Sequence, residues 1–314
     1  MMRVGAIDCG TNSIRLLIAD LTEDGALMDI VRDMEIVRLG QGIDRTGRID
    51  PAAMTRTLRA TQTYAALCRH HDVRKVRFVA TSASRDAENA ADFVAGVEEA
   101  FGDLAVTPEV ISGATEASLS FSGATGDLLA AGQPGPYLVV DIGGGSTELV
   151  RGTRSVEQAI SVDIGCVRIT ERDIPGDPPM QAEIEAALGD VNRALDQAQE
   201  AVDLAGISTV VGLAGSVTTV TAYALGLRSY DPSAIHLADL SVAEHQRAAA
   251  HLLGMARGDR ASLGFMHPGR VDVIGAGALI WSEVLARVQA SSPNVRVVTS
   301  EHDILDGIAL SLRD

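Results

Sequence analysis

Two stretches of this chain share one design at a constant offset of 133 residues, and that repeat constrains the fold more than any other feature. The first runs Ala6-Ile7-Asp8-Cys9-Gly10-Thr11-Asn12-Ser13-Ile14-Arg15-Leu16. The second runs Leu138-Val139-Val140-Asp141-Ile142-Gly143-Gly144-Gly145-Ser146-Thr147-Glu148-Leu149-Val150. Asp8 falls on Asp141, Gly10 on Gly143, Ser13 on Ser146 and Leu16 on Leu149. Apolar, β-branched runs on either side of a glycine turn read as strand–turn–strand. A hairpin in which glycine serves backbone geometry alone accounts for either loop by itself. It does not account for two matching loops, which imply a duplicated domain with an anion gripped between the halves.

The residue types in these loops point to a metal–phosphate. Gly143, Gly144 and Gly145 carry no Cβ, so the main chain can approach a ligand closely and present its N–H groups. Asp8 and Asp141 close the entering strands, where a hard oxygen suits Mg²⁺ or its water shell, and Glu148 adds a second carboxylate. Ser146 and Thr147 add hydroxyl donors, as do Thr11 and Ser13 in the first loop, where Asn12 adds an amide. Three further residues have two readings each. Arg15 follows the first loop on a strand, as a phosphate contact or a surface charge. Arg85 sits at a helix start, as a phosphate ligand or an ion-paired cap. Ser216, in Ala214-Gly215-Ser216, is a phosphate donor or a plain N-cap.

Composition narrows the class. With 314 residues the chain is comfortable for two domains, and 46% apolar content supplies their cores even though aromatics make up 3%. A net charge of −16 argues against general nucleic-acid or membrane-surface binding, since both need a broad basic face. An anion site must therefore work locally, through aimed amides, a few arginines and a metal; Arg45, Arg48 and Arg168 are candidates for added substrate affinity. Cys9, Cys68 and Cys166 show neither disulfide nor zinc spacing. Strand-like residues begin at Val4, and no apolar run approaches the ~18 residues of a membrane span. A cytoplasmic protein with no membrane association is expected, and a homodimer is compatible with the chain.

Strand and helix signals alternate, which gives an α/β class. Strands are expected around the first loop (3–20), at 27–38 after an Asp24-Gly25 turn, and at 76–81, 138–151, 156–162, 209–213 and 296–299. Asp50-Pro51 opens a helix to His70, Ser112 caps one containing Glu116, and a long helix covers roughly 180–204. Ser241 to Glu244 is a capping box. His267-Pro268 precedes a helical stretch containing Asp272, Gly275 and Trp281, and a last helix covers 303–312. The expected domains are 1–120 and 121–300, with 301–314 returning to the first.

The chain resembles the exopolyphosphatase / guanosine pentaphosphate phosphohydrolase family. The likeness is carried by Ile7 to Ser13, Thr81-Ser82-Ala83-Ser84-Arg85-Asp86-Ala87, Ile111-Ser112-Gly113-Ala114-Thr115-Glu116-Ala117 and Asp141 to Leu149. Gly165 to Arg168, Gly212 to Ser216, Asp272 to Gly277 and Ser300 to Asp303 extend it over the whole chain. It implies two ribonuclease H-like domains facing a central cleft, the superfold of actin, sugar kinases and heat-shock chaperones. It also implies Mg²⁺-dependent release of orthophosphate from the end of polyphosphate, short chains favoured, with Mn²⁺ as the alternative metal. Guanosine pentaphosphate is the alternative substrate, and an ATP-dependent kinase or ATPase of the same superfold the alternative of another class. By the same resemblance Glu116 is the base, Asp141 and Glu148 are the other acidic site residues, and Arg85 binds phosphate. The family's Gly-x-Glu-Glu-Ala motif has Thr115 in place of its first glutamate here. Its C-terminal arginine is replaced by Ile304 or Leu305.

Overall fold

The computed structural model describes residues 1–23 and 26–313; the Asp24-Gly25 turn expected from sequence lies outside them. The chain divides into two compact units, residues 1–123 with 304–314, and residues 124–303.

The first unit is built on a five-stranded sheet. Its strands are β1 (Met2–Cys9), β2 (Ser13–Leu21), β3 (Leu27–Ile36), β4 (Lys75–Ala80) and β5 (Glu109–Val110), in the order β3-β2-β1-β4-β5. β1 pairs antiparallel with β2 and parallel with β4. Side chains alternate between faces along a strand, and both faces here are covered. Ile7, Cys9, Ile14, Leu16 and Ile18 pack with Tyr64, Phe78, Phe93 and Phe101. Val4, Ala6, Leu17 and Ala19 pack with Leu119, Ile304, Leu305 and Ile308. Two-sided burial is why β1 and β2 read as nearly continuous apolar runs. Helix Pro51–His70 starts where expected, because the Asp50 carboxylate accepts from the amides of Ala52 and Ala53 and proline occupies the first turn.

The second unit repeats the plan. β6 (Tyr137–Ile142), β7 (Thr147–Gly152), β8 (Val156–Val162), β9 (Thr209–Leu213) and β10 (Arg296–Thr299) lie in the order β10-β9-β6-β7-β8. β6 pairs antiparallel with β7 and parallel with β9, so it occupies the place of β1, and β7 that of β2. Leu138, Val140 and Ile142 face a core completed by helices Gln181–Ala201, Ala214–Ala224, Val242–Gly254 and Ile274–Ser291, with Trp281 wholly buried in it. Each unit is thus a ribonuclease H-like sheet, and the sequence repeat is the first hairpin of each.

One helix boundary differs from expectation. Asp272 lies outside helix Ile274–Ser291, in a turn where it receives the Arg257 guanidinium at 2.5 Å. The His267 side chain accepts from the Gly269 amide, so the chain takes one 3₁₀ turn over Pro268–Arg270 before the α-helix begins.

Candidate functional site

In both units the hairpin tip closes with the same bond. The Gly10 amide donates to the Ser13 carbonyl at 2.9 Å, and the Gly143 amide to the Ser146 carbonyl at 3.0 Å. The tips differ in the charge beside the aspartate. Antiparallel register sets Asp8 opposite Arg15 and Asp141 opposite Glu148. In the first unit the Arg15 guanidinium lies on Asp8, with Nη2 2.6 Å and Nε 3.0 Å from Oδ2. In the second, two buried carboxylates stand on neighbouring strands, Asp141 at 7% and Glu148 at 1% exposure. The Ser161 hydroxyl, in register with Glu148 from β8, donates to Oε1 at 2.6 Å. Like charges side by side repel, so this pair is suited to a cation in a way the Asp8–Arg15 pair is not.

The glycine turn of the second unit is held from behind by helix Cys166–Asp173. Its first amides are spent on the turn: Cys166 donates to the Gly143 carbonyl, and Val167 and Arg168 to the Gly144 carbonyl, at 2.9–3.1 Å. Arg168 Nε reaches the Gly145 carbonyl at 2.8 Å, so this arginine positions the loop. A trans peptide sets its N–H opposite its C=O, and these peptides are trans. With three carbonyls turned to the helix, the N–H groups of Gly144, Gly145 and Ser146 point the other way, as a row of donors suited to an anion. Gly165 permits the contact: a Cβ there would fall 2.4 Å from Gly144. Thr147 serves the same end, its hydroxyl donating to the Ile164 carbonyl at 2.6 Å.

Ser216 is 5% exposed and packed between helices. It shares a hydrogen bond with the Cys166 thiol, and a Cβ on Gly277 would fall 2.2 Å from its Oγ. Beside it is a residue that sequence reasoning missed. The Arg270 guanidinium lies on Gly215, where a Cβ would come 2.1 Å from its Cζ. This puts a cation over the turn that follows β9, whose Leu213 is the register partner of Asp141. The bare Gly215 was the available signal, but nothing along the chain connects it to residue 270.

In the first unit one hydrogen-bonded series joins the tip to Glu116. The hydroxyls of Thr11 and Ser82 are 2.8 Å apart, and Ser82 opens the short helix Ser82–Asp86 that carries Arg85. Arg85 Nη1 donates to the Ile111 carbonyl at 3.1 Å and to Glu116 Oε2 at 3.2 Å. Among the described residues those bonds occupy Nη1 and leave the Nε and Nη2 hydrogens for another acceptor. Glu116 is 8% exposed on helix Gly113–Ala130. The Asn12 carbonyl accepts from the amides of Val37 and Arg38, while its side-chain Oδ1 is buried with no partner among the described residues.

The two family departures have local explanations. Thr115 is at the third helical position, where its amide donates to the Ser112 hydroxyl at 3.2 Å and its own hydroxyl lies 3.1 Å from the same atom. That is the position a capping-box glutamate fills. Ile304 and Leu305 are core residues, 3% and 2% exposed, against Val4, Ala6 and Leu17. Arg45 and Arg48 line an open groove of the first unit with Pro51 and Met54.

Two ribonuclease H-like units of the same strand order, each opening on a hairpin with a glycine at its tip, define an actin-like α/β superfold. The chain belongs to the Ppx/GppA phosphatase family, whose model matches residues 17–312. It is 48% identical over 319 residues to exopolyphosphatase 2 of Mycobacterium tuberculosis strain H37Rv, with 99% of each chain covered. A crystal structure of an exopolyphosphatase-like protein superposes with a TM-score of 0.94 at 43% identity, covering 99% of this chain and 97% of that one. The Aquifex aeolicus family member superposes at 0.80 with 28% identity, again covering 99% and 97%.

Proposed function

We propose that this protein is an exopolyphosphatase that hydrolyses the terminal phosphoanhydride of inorganic polyphosphate with a divalent metal, Mg²⁺ by preference. The observation that carries the reading is the adjacency, in the second unit, of an outward row of amides and a buried pair of carboxylates. A metal-bound polyphosphate end needs both. Asp141 and Glu148 fit Mg²⁺, a hard cation commonly held by one or two carboxylates together with waters and substrate oxygens. Bound there, Mg²⁺ would neutralise charge on the phosphoryl oxygens. Asp8, neutralised by Arg15, is assigned to fixing the first tip.

The chain's own residues have these roles. In the second unit the amides of Gly144, Gly145 and Ser146 bind phosphoryl oxygens, and in the first Thr11 and Ser13 do so. Arg85 offers its Nε and Nη2 hydrogens to a phosphoryl oxygen while Nη1 fixes the Glu116 carboxylate. Glu116 accepts a hydrogen bond from water and then its proton as the water oxygen bonds to the terminal phosphorus. The bond from that phosphorus to the bridging oxygen breaks, giving orthophosphate and a chain one unit shorter. Losing a general base typically costs about 10²–10⁴-fold in rate.

The test is phosphate release from short and long polyphosphate, guanosine pentaphosphate and ATP, in Mg²⁺, Mn²⁺ or chelator, for wild type and Glu116→Gln. Polyphosphate turnover that needs metal and falls at least about 10²-fold in the variant is expected. Turnover of ATP alone would overturn the substrate, and unchanged activity in the variant would remove Glu116 from its role.

A further inference from the structure

Three side chains of the second unit converge on one point, and none belongs to the loop or carboxylates above. Asp127 lies on helix Gly113–Ala130, His236 directly follows helix Pro232–Ile235, and His302 follows β10. Both imidazoles meet the same oxygen: His302 Nδ1 is 2.8 Å and His236 Nε2 3.2 Å from Asp127 Oδ2. The two rings are 4.6 Å apart between centroids, and one ligand atom from each residue lies within 4.8 Å of the others. In a tetrahedral site with bonds of ~2.0–2.1 Å, ligand atoms stand roughly 3.3–3.4 Å apart. The two spacings to Asp127 Oδ2 therefore need to open by at most about 0.6 Å, with the two imidazole nitrogens already within 4.8 Å of each other. These are partly exposed side chains, 47% for Asp127, 42% for His302 and 24% for His236, which can move that far and admit water as a fourth ligand.

We propose that Asp127, His236 and His302 form a binding site for a divalent transition metal, with Zn²⁺ the ion whose preferences they meet. Two imidazoles and one carboxylate suit Zn²⁺ or Co²⁺, whereas Mg²⁺ favours an all-oxygen shell. Parts of the frame are already fixed. The Ser300 hydroxyl bonds both the amide and the carbonyl of His302, and the Glu301 amide donates to His236 Nδ1 at 3.3 Å. Ligation through Nε2 moves the His236 proton to Nδ1 and gives up that long bond, which weakens metal binding by about one order of magnitude at most. The position suggests what an ion would do. The chain passes between units at residues 123–124 and again at 303–304. Asp127 lies just after the first passage, His302 just before the second, and His236 in the body of the unit. A bound ion would tie both passages to that body. This inference is independent of the hydrolase reading.

Equilibrium dialysis with Zn²⁺, and the visible absorption of added Co²⁺, test it on wild type, His236→Ala, His302→Ala and the double variant Asp141→Asn/Glu148→Gln. The expected result is one equivalent of Zn²⁺ at micromolar affinity, kept in excess Mg²⁺ and in the Asp141/Glu148 variant. Co²⁺ should give the intense bands of a four-coordinate site. Affinity should fall more than ~10-fold in each histidine variant, since even the outer partners of a ligand are worth ~10–100-fold. Binding that Mg²⁺ displaces, or that the histidine variants leave intact, would overturn the proposal, as would no binding at tens of micromolar. Imidazole proton shifts of the wild type during Zn²⁺ titration need no variant to fold: of the seven histidines, His236 and His302 must move together. Movement of other histidines alone is equally fatal.

Discussion

Replacing Gly165 with alanine isolates the support of the glycine turn from every other property of the site. Gly165 has φ −149° and ψ 164°, extended backbone open to any residue, so alanine carries no conformational cost and the effect is steric. The new Cβ would lie 2.4 Å from the carbonyl carbon and oxygen of Gly144 and 2.5 Å from the Gly145 nitrogen. Carbon atoms rest comfortably at roughly 3.5–4.0 Å, so about 1 Å must be found, and only backbone can supply it. A shift of that size breaks the bonds from the Cys166, Val167 and Arg168 amides to the turn, now 2.9–3.1 Å long. Overpacking strain of about 1–3 kcal/mol and about 1 kcal/mol for each of the three weakened bonds put the destabilisation at about 4–6 kcal/mol. The outward amides turn with their carbonyls, and donors misaimed by about 1 Å cost on the order of 10²-fold in kcat/KM or more. The assay is phosphate release from polyphosphate, at a temperature where circular dichroism shows the variant folded. A folded variant with wild-type kcat/KM would refute the claim that helix Cys166–Asp173 aims the amides.

Other outcomes follow from buried groups away from the turn. The Trp281 indole N–H donates to His245 Nδ1 at 3.2 Å, so that nitrogen must stay unprotonated, and burial lowers the His245 pKa to about 4. A native pKa below the unfolded value of about 6.5 means stability is kept above pH 6.5 and lost as the pH falls toward 4. About 2 kcal/mol of that loss should fall between pH 6.5 and 5, and urea midpoints should show it shrinking in His245→Gln; an equal pH slope in the variant would exclude His245 as its source. Arg32 Nη2 holds Asp306 at 2.5 Å, with the carboxylate 5% exposed; burial pulls the Arg32 pKa down, and Asp306 with Asp29 more than offsets it, keeping it above its ordinary value. Arg32→Met leaves a buried charge without this partner and should cost about 3–5 kcal/mol in chemical denaturation; a loss below 1 kcal/mol would show the pair to be solvated. At Gly126, on helix Gly113–Ala130, a Cβ would meet nothing within 4 Å among the described residues, so alanine should be tolerated with a gain of about 0.5–1 kcal/mol. A melting temperature that falls would contradict that.

Much of the architecture is written in local pattern, because turns, caps and alternation depend on neighbours a few residues apart. The Asp50-Pro51 start, the Ser241–Glu244 capping box and the strands Val156–Val162, Thr209–Leu213 and Arg296–Thr299 all lie where their residues indicate. Asp272 was misplaced because a partner from another segment, Arg257, holds it in a turn.

The repeat at offset 133 determined by itself that the chain holds two copies of one hairpin, since glycine and aspartate at matched positions are a property of order along the chain. Only the folded structure shows that the copies differ in charge. Strand register, fixed in each hairpin by the turn that joins its strands, sets arginine across from Asp8 and glutamate across from Asp141. Only the tertiary structure decided the contacts of Ser161 with Glu148, of Arg270 with Gly215, and of Asp127 with His302, 175 residues apart in the chain and 2.8 Å apart in space. Such contacts arise from the packing of elements against one another, and adjacent residues carry no record of it.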